Sequence, residues 1–519
     1  MMLGDEAVAL GALHAGIAAA YSYPGTPATE ILEFVRRAGG AGVVAHWAAN
    51  EKTAYEQALG VSLAGRRALV SMKHVGLNVA ADAFVNSALV EIGGGLVLAV
   101  ADDPGMHSSQ NEQDSRYLAD FARVPCLEPA DQQQAYDFTR EAFDLSERFQ
   151  VPVVLRLVTR LAHGRAPVVP RAEQDAGAHA GHDPAGWVLL PGNARRLWRS
   201  LLEVQPALRI AASRYTVLTP GDRALGVITC GVAVGYYRQN LPDLPVAPAH
   251  LHVGGYPVAP ALIRDFAGSV DRVLVLEDGY PYLERRIAGM LADGVEGRDT
   301  GRVPASGELD PDVVREALGL PPLPRIALDP IDLPGRPPRL CPGCPHMDSF
   351  AAVNQALEGT VDPVVTADIG CYTLGALPPY RAIDSCVCMG ASIGMAKGAS
   401  DAGMRPVLAV IGDGTFLHSG MPPMLDAVAA DTDMTVLILD NRTIAMTGLQ
   451  DTVVPDSRLE PILAGIGVDP AHLHVVETSP RTVEELAVLL RKEMGHAGLS
   501  VIVAVRECVE KVKHDRRRR

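Results

Sequence analysis

The sequence predicts an α/β chain of several domains, each built on a doubly wound parallel sheet. Three observations predict it. Short apolar runs of strand length alternate with segments of helical periodicity along most of the chain. Two stretches rich in proline divide that alternation into blocks. The length, 519 residues, suits about three domains at ~150 residues each, and an apolar content of 48% supplies cores for them.

The first domain is expected over residues 1–165. Residues 43–45, 68–72, 96–100 and 151–157 read as buried strands, and residues 54–63 and Gln132–Phe149 as helices between them. Residues 166–188, rich in Ala, Pro, Gly and His, read as a linker. A second domain over 190–325 contains strands at 224–229 and 273–277. The run Asp-Pro-Ile-Asp-Leu-Pro-Gly-Arg-Pro-Pro at 329–338 marks the next boundary, because each proline biases its predecessor toward extended backbone. The last domain, 340–510, has strands at 364–367, 407–411, 434–439 and 501–505, and a helix with Met421, Met424, Leu425 and Val428 at helical spacing.

Composition excludes some functions. The net charge is −15 and aromatics make up 5%, which argues against a general binder of nucleic acid or anionic membrane. No apolar run approaches the ~20 residues of a membrane helix, and the start Met1-Met2-Leu3-Gly4-Asp5-Glu6 lacks the pattern of a signal peptide. The expectation is a soluble, cytoplasmic protein with no nucleic-acid or membrane partner, whose eight cysteines are ligands or buried thiols rather than disulfides. The basic end, from Lys511 to Arg519, reads as a solvated disordered tail.

The stretch from Gly412-Asp413-Gly414-Thr415 to Leu439-Asp440-Asn441-Arg442-Thr443 is the most informative. Strand, helix and strand make a right-handed βαβ unit, so both polar clusters fall at carboxyl ends of parallel strands, where open α/β sheets bind ligands. Asp413 offers a carboxylate oxygen, Asn441 an amide oxygen and Thr443 a backbone carbonyl. Mg²⁺ takes such oxygens and completes its octahedron with phosphate and water. Gly412 and Gly414 let the backbone approach phosphate closely. A plain βα turn is the competing reading.

Cys341-Pro342-Gly343-Cys344-Pro345-His346 opens the last domain, Cys371 follows a strand in Asp368-Ile369-Gly370-Cys371-Tyr372, and Cys508 lies just beyond the final strand. A CxxC pair alone fits a redox couple, half a zinc site or part of an iron–sulfur site. Four thiolates from Cys341, Cys344, Cys371 and Cys508 suit a 4Fe-4S cluster, whereas a four-cysteine zinc site usually shows two CxxC pairs. Cys126, Cys230, Cys386 and Cys388 sit in apolar settings and read as core thiols.

Taken together, these motifs resemble the α subunit of indolepyruvate ferredoxin oxidoreductase, a thiamine-diphosphate-dependent 2-oxoacid:ferredoxin oxidoreductase. The resemblance runs through Tyr23-Pro24-Gly25-Thr26-Pro27, Asn50-Glu51-Lys52, residues 72–78 (Met-Lys-His-Val-Gly-Leu-Asn), residues 102–114, Gly370-Cys371-Tyr372-Thr373-Leu374-Gly375, Met389-Gly390-Ala391-Ser392 and Ala445-Met446-Thr447-Gly448. It implies a multidomain thiamine-diphosphate-binding fold: a pyrimidine-binding domain at 1–165, a transketolase C-terminal-like domain at 190–325 and a diphosphate-binding domain at 340–510. It implies thiamine diphosphate held through Mg²⁺ on Asp413, Asn441 and Thr443, with Gly412, Gly414, Thr415, Met446, Gly390, Ser392 and His346 also at the cofactor. Glu51 matches the glutamate that hydrogen-bonds the aminopyrimidine. Thr26 and His74 are placed at the reacting groups, with Lys73 and Asn78 nearby and His107 and Gln110 toward substrate. The four cysteines match the relatives' cluster ligands in order.

The implied reaction is oxidative decarboxylation of an aryl 2-oxoacid to acyl-CoA, with electrons passing to ferredoxin. An apolar Met446, where pyruvate enzymes carry asparagine, fits an aromatic substrate. The implied partners are a smaller β subunit, ferredoxin or a ferredoxin-like protein, coenzyme A and the 2-oxoacid, in a homodimer of α or a heterotetramer. The family's C-terminal ferredoxin-like segment has no counterpart in this sequence. That departure keeps a non-oxidative thiamine-diphosphate-dependent 2-oxoacid decarboxylase open as the alternative.

Overall fold

The computed structural model describes residues 1–174, 183–289, 294–324, 338–454 and 458–518. The chain divides into two compact units, Met1–Ala327 and Leu328–Arg519.

The first unit holds two large sheets. One has seven strands in the order Gly255–Tyr256, Cys126–Leu127, Val153–Val158, Leu96–Asp102, Ala68–Lys73, Ala19–Ser22, Val44–Trp47. They run parallel except where Gly255–Tyr256 meets Cys126–Leu127. Alternation sends neighbours on a strand to opposite faces. Leu69, Val97, Ala99 and Leu155 enter one core, and Val70, Leu98, Val100 and Val154 the other. The second core also takes Ile228, Leu251 and Val275 from a five-stranded sheet, ordered Val295–Glu296, Val273–Leu276, Asp222–Cys230, Pro248–Val253, Thr216–Thr219. The two sheets therefore share apolar packing inside one unit. Arg165–Ala166 pairs antiparallel with Met2–Leu3 and ties the start of the chain to the end of its first block.

The second unit holds one all-parallel sheet, ordered Ser385–Cys386, Val364–Ala367, Val407–Gly412, Met434–Asp440, Leu499–Val505, Leu473–Glu477. Such a sheet must be covered on both faces. Phe350 and Val353 of helix Pro345–Leu357 pack with Leu486 and Leu490 of helix Val483–Met494 over Leu408, Val410 and Leu437. Ile393, Ala396, Met424 and Ala427 cover Ala409, Ile411 and Ile438 on the other side.

Several expectations are corrected. Leu425 is half exposed, because helix Met421–Ala429 buries Met424 and Ala427 instead. Cys386, in the two-residue strand Ser385–Cys386 at the sheet edge, and Cys388 just beyond it are exposed, while Cys126 and Cys230 are buried thiols as expected. The basic end is helical over Val509–Arg518, with Lys511–Asp515 and Glu510–Lys513 pairs one turn apart. The helix expected at 54–63 begins at Glu51, capped by Asn50, whose Oδ1 accepts the Thr53 amide at 2.8 Å. Residues 175–182 of the expected linker, and the proline-rich crossing at 329–338 except Pro338, lie outside the described residues.

Candidate functional site

In the second unit, polar residues gather where the parallel strands end. Asp368 follows Val364–Ala367, Asp413 follows Val407–Gly412, Asn441 follows Met434–Asp440, and Cys508 lies beyond Leu499–Val505. Asp413 and Asp440 are both buried, and each accepts the Arg442 amide at 3.1 Å. Burial first, and Asp440 second, push the Asp413 carboxyl up to about 8. The second oxygen of Asp440 has no hydrogen-bond partner. Two buried carboxylates one amide apart form a hard-oxygen cradle that a divalent cation would satisfy, so the donor set fits Mg²⁺.

Asn441 is fixed from both sides. Its Oδ1 accepts the Thr443 amide at 3.1 Å and its Nδ2 lies 3.4 Å from His346 Nε2. His346 is buried with Nδ1 unpartnered, and burial pushes it down to about 4, so it is a neutral imidazole. Thr443 Oγ1 donates to the Gln450 carbonyl at 2.9 Å, closing a loop in which Met446 is half exposed. At Gly412 a Cβ would stand 2.6 Å from the Tyr372 ring; at Gly390, φ is +82° and a Cβ would stand 2.5 Å from that of Ser419. Each position therefore admits glycine alone without rearrangement.

Asp368 organises the other wall. It accepts Ser392 Oγ at 2.6 Å, the Ser392 amide at 3.2 Å and the Tyr372 hydroxyl, and burial pushes it up to about 6. Thr415 Oγ1 donates to the Ile369 carbonyl at 3.1 Å. The hydroxyls of Ser392 and Thr415 thus hold the loop that carries Cys371. The helix after Asp413 widens to a π turn over Phe416–Gly420, a distortion common at functional sites. Asp368 and Asp440 escaped sequence reasoning, although the rule that found Asp413 applies to any acid at a strand's carboxyl end.

Cys341, Cys344, Cys371 and Cys508 come together. Burial pushes Cys371 up to about 12, with Cys344, Cys508 and Cys341 adding to it, and burial pushes Cys344 up to about 11, with Cys341 and Cys508 contributing. The Cys344 amide donates to the Cys341 carbonyl at 2.9 Å in a turn where Gly343 has φ +79°. Arg506 pairs with Asp348 and reaches the Gly343 carbonyl, bracing that turn. Among the described residues, no three of these sulfurs converge within 4.8 Å of one another. Four thiols so grouped are a donor set that suits a metal cluster.

In the first unit, Glu51 is buried at the start of helix Glu51–Leu63. A Cβ on Gly76 would stand 2.5 Å from Glu51 Oε1, so the carboxylate lies against the bare backbone of the next helix. His74 is buried with Nδ1 unpartnered and Nε2 3.4 Å from Asn111 Oδ1, and burial holds it below the usual imidazole range. Lys73 Nζ donates to the Ser108 carbonyl at 2.7 Å, and burial lowers it to about 8. Thr26 is half-buried, its carbonyl 3.5 Å from Ser108 Oγ. Asn78 bonds Gln113 at 3.0 Å, His107 faces Glu308 at 3.3 Å and Gln110 is exposed.

Residues 368–504 match the family model described as thiamine pyrophosphate enzyme, C-terminal TPP binding domain, and residues 10–182 match pyruvate flavodoxin/ferredoxin oxidoreductase, thiamine diphosphate-binding. Fold, site and matches define a thiamine-diphosphate-dependent 2-oxoacid oxidoreductase. The chain is 37% identical to the indolepyruvate oxidoreductase subunit IorA of Archaeoglobus fulgidus, spanning 100% of this chain and 88% of that one. It is 36% identical to the IorA subunit of Methanothermobacter thermautotrophicus (98% and 86%) and 35% to that of Pyrococcus abyssi (98% and 85%). The chain belongs to the IorA family of indolepyruvate oxidoreductase subunits. Among the described residues, no helix is long and apolar enough to cross a membrane.

Proposed function

We propose that this chain is the thiamine-diphosphate-binding α subunit of an enzyme that oxidatively decarboxylates indolepyruvate or a related arylpyruvate to its acyl-CoA. Asp413, Asn441 and the Thr443 carbonyl would hold Mg²⁺ on the diphosphate, with Gly412, Gly414 and Thr415 leaving room for its oxygens. Glu51 would accept from the aminopyrimidine ring, in the stretch 1–165 assigned to that role. Bound thiamine diphosphate supplies the electron sink that lets a 2-oxoacid lose CO₂.

The protein's own part is placement and proton control. Gly76, lacking a Cβ, leaves room for Glu51 against the neighbouring helix. Neutral His74, with an unpartnered nitrogen, can hold or release a proton toward a substrate oxygen. Lys73, lowered to about 8, can offer a cation to the substrate carboxylate. Met446 gives the loop an apolar contact for an aryl ring.

Cys341, Cys344, Cys371 and Cys508 would bind a 4Fe-4S cluster that hands electrons singly to ferredoxin or a ferredoxin-like protein, with a smaller β subunit completing the enzyme. The observation that carries the oxidative reading is the gathering of four cysteines at the strand ends that present Asp413 and Asn441. Iron and sulfide analysis of the anaerobically co-purified complex tests it. Expected are about four of each per chain beyond what the partner proteins carry, with that increment lost in Cys371→Ser; a complex that shows no such increment and still consumes 2-oxoacid would overturn it.

A further inference from the structure

Asp5, Glu30 and His163 each bring one ligand atom within 4.8 Å of the others. They come from three helices of the first unit: the first turns of Gly4–His14 and Thr29–Ala38, and the last residue of Thr159–His163. Asp5 is fully buried; its carboxyl meets no N–H or hydroxyl donor and faces only the carboxyl of Glu30, and burial first, with Glu30 second, raises it well above the usual carboxylate range. Glu30 Oε2 lies 3.6 Å from His163 Nε2, and this pairing holds Glu30 below and His163 above their usual ranges. The side chains of Glu30 and His163 are about a third exposed, at 36% and 37%, so the group opens to water on one side.

Two carboxylates that face each other out of water need a proton or a cation between them. Glu6 adds negative charge from the same turn as Asp5, offset in part by Arg37 at 3.3 Å. A proton shared between the acids, beside a charged His163, is the competing arrangement, and it would leave the second oxygen of Asp5 bare. A divalent ion would satisfy all three ligands and take waters on the open side. With ligands at about 2.1 Å, octahedral neighbours stand about 3 Å apart and opposite ligands about 4.2 Å, a spread that fits this group. An imidazole beside two carboxylates favours a first-row transition ion over Ca²⁺ or Mg²⁺.

We propose that Asp5, Glu30 and His163 bind a divalent transition-metal ion that clips three helix ends together. The clip reaches the Thr26 loop, because Thr29, beside Glu30, accepts the Gly25 amide at 3.1 Å.

The test titrates Mn²⁺ alone, which thiolates bind poorly, into chelator-treated, cofactor-free full-length protein. Expected is one equivalent of Mn²⁺ that persists in Asp413→Asn, is lost in Asp5→Asn, weakens at least about tenfold in His163→Gln and raises Tm by several degrees. His163→Gln, at a partly exposed position, carries the test if Asp5→Asn does not fold. No Mn²⁺ beyond that lost with Asp413, or an equivalent that survives both Asp5→Asn and His163→Gln, would overturn the site. So would an Asp5→Asn protein that gains stability while the wild type binds no metal there, which identifies a proton-sharing acid pair.

Discussion

Asp413 concentrates the chemistry of the second unit in one carboxyl group. It is buried beside Asp440, and its pKa lies near 8 without a cation. A cation must displace that proton, so the affinity for Mg²⁺ with thiamine diphosphate should rise about tenfold per pH unit below 8 and level off above it. Calorimetric titration between pH 6 and 9 checks the slope; a flat profile would contradict it. The cation-free protein should show the opposite trend. Because the folded pKa is raised above the unfolded value, the contribution of Asp413 to stability is present below about pH 4 and is lost as pH rises toward 8. Gly76 offers a second check. Gly76→Ala places a methyl 2.5 Å from Glu51 Oε1. A displacement near 1 Å should lower turnover about 100-fold while the protein stays folded, read from turnover beside a melting curve.

Elements place these residues through a few positions where the backbone has no alternative. Gly390, at φ +82°, precedes helix Ala391–Asp401, whose Ser392 holds Asp368 and through it the Cys371 loop. Gly390→Ala should cost about 2–4 kcal/mol, combining left-handed backbone strain with the clash at Ser419, read by chemical denaturation. Elements were legible where the periodicity was long: helix Gln132–Phe149 and the strands and helix of the βαβ unit around Asp413 stand where it puts them. What escaped depends on the other side of a contact. Leu425 is apolar yet faces water, Cys386 at a sheet edge and Cys388 beyond it are exposed, and Asp368 becomes important through Ser392 and Tyr372, 24 and 4 residues away. At the basic end the helical spacing of Glu510–Lys513 and Lys511–Asp515 was present in the sequence but was outweighed by the run of like charges that follows it.

The first unit depends on a buried charge network that joins its two sheets. Arg116 contacts Asp114 and Glu277, and Arg156 contacts Asp102 and Glu128, with both guanidiniums fully buried. Asp102 ends a strand of the larger sheet, and Glu277 follows one in the smaller. Arg156→Met strands two buried carboxylates and should destabilise the unit by about 3–5 kcal/mol, with little dependence on salt because the network is dry. Urea denaturation at two ionic strengths checks both. The proposal for the whole protein is coenzyme A-dependent oxidative decarboxylation in which Glu51 is required. The most direct test is anaerobic dye reduction by the co-purified complex, with indolepyruvate and coenzyme A. Wild-type protein should reduce the dye only when both are present, and Glu51→Gln should lose that activity; dye left unreduced while indolepyruvate is still decarboxylated, or full activity in Glu51→Gln, would contradict the account.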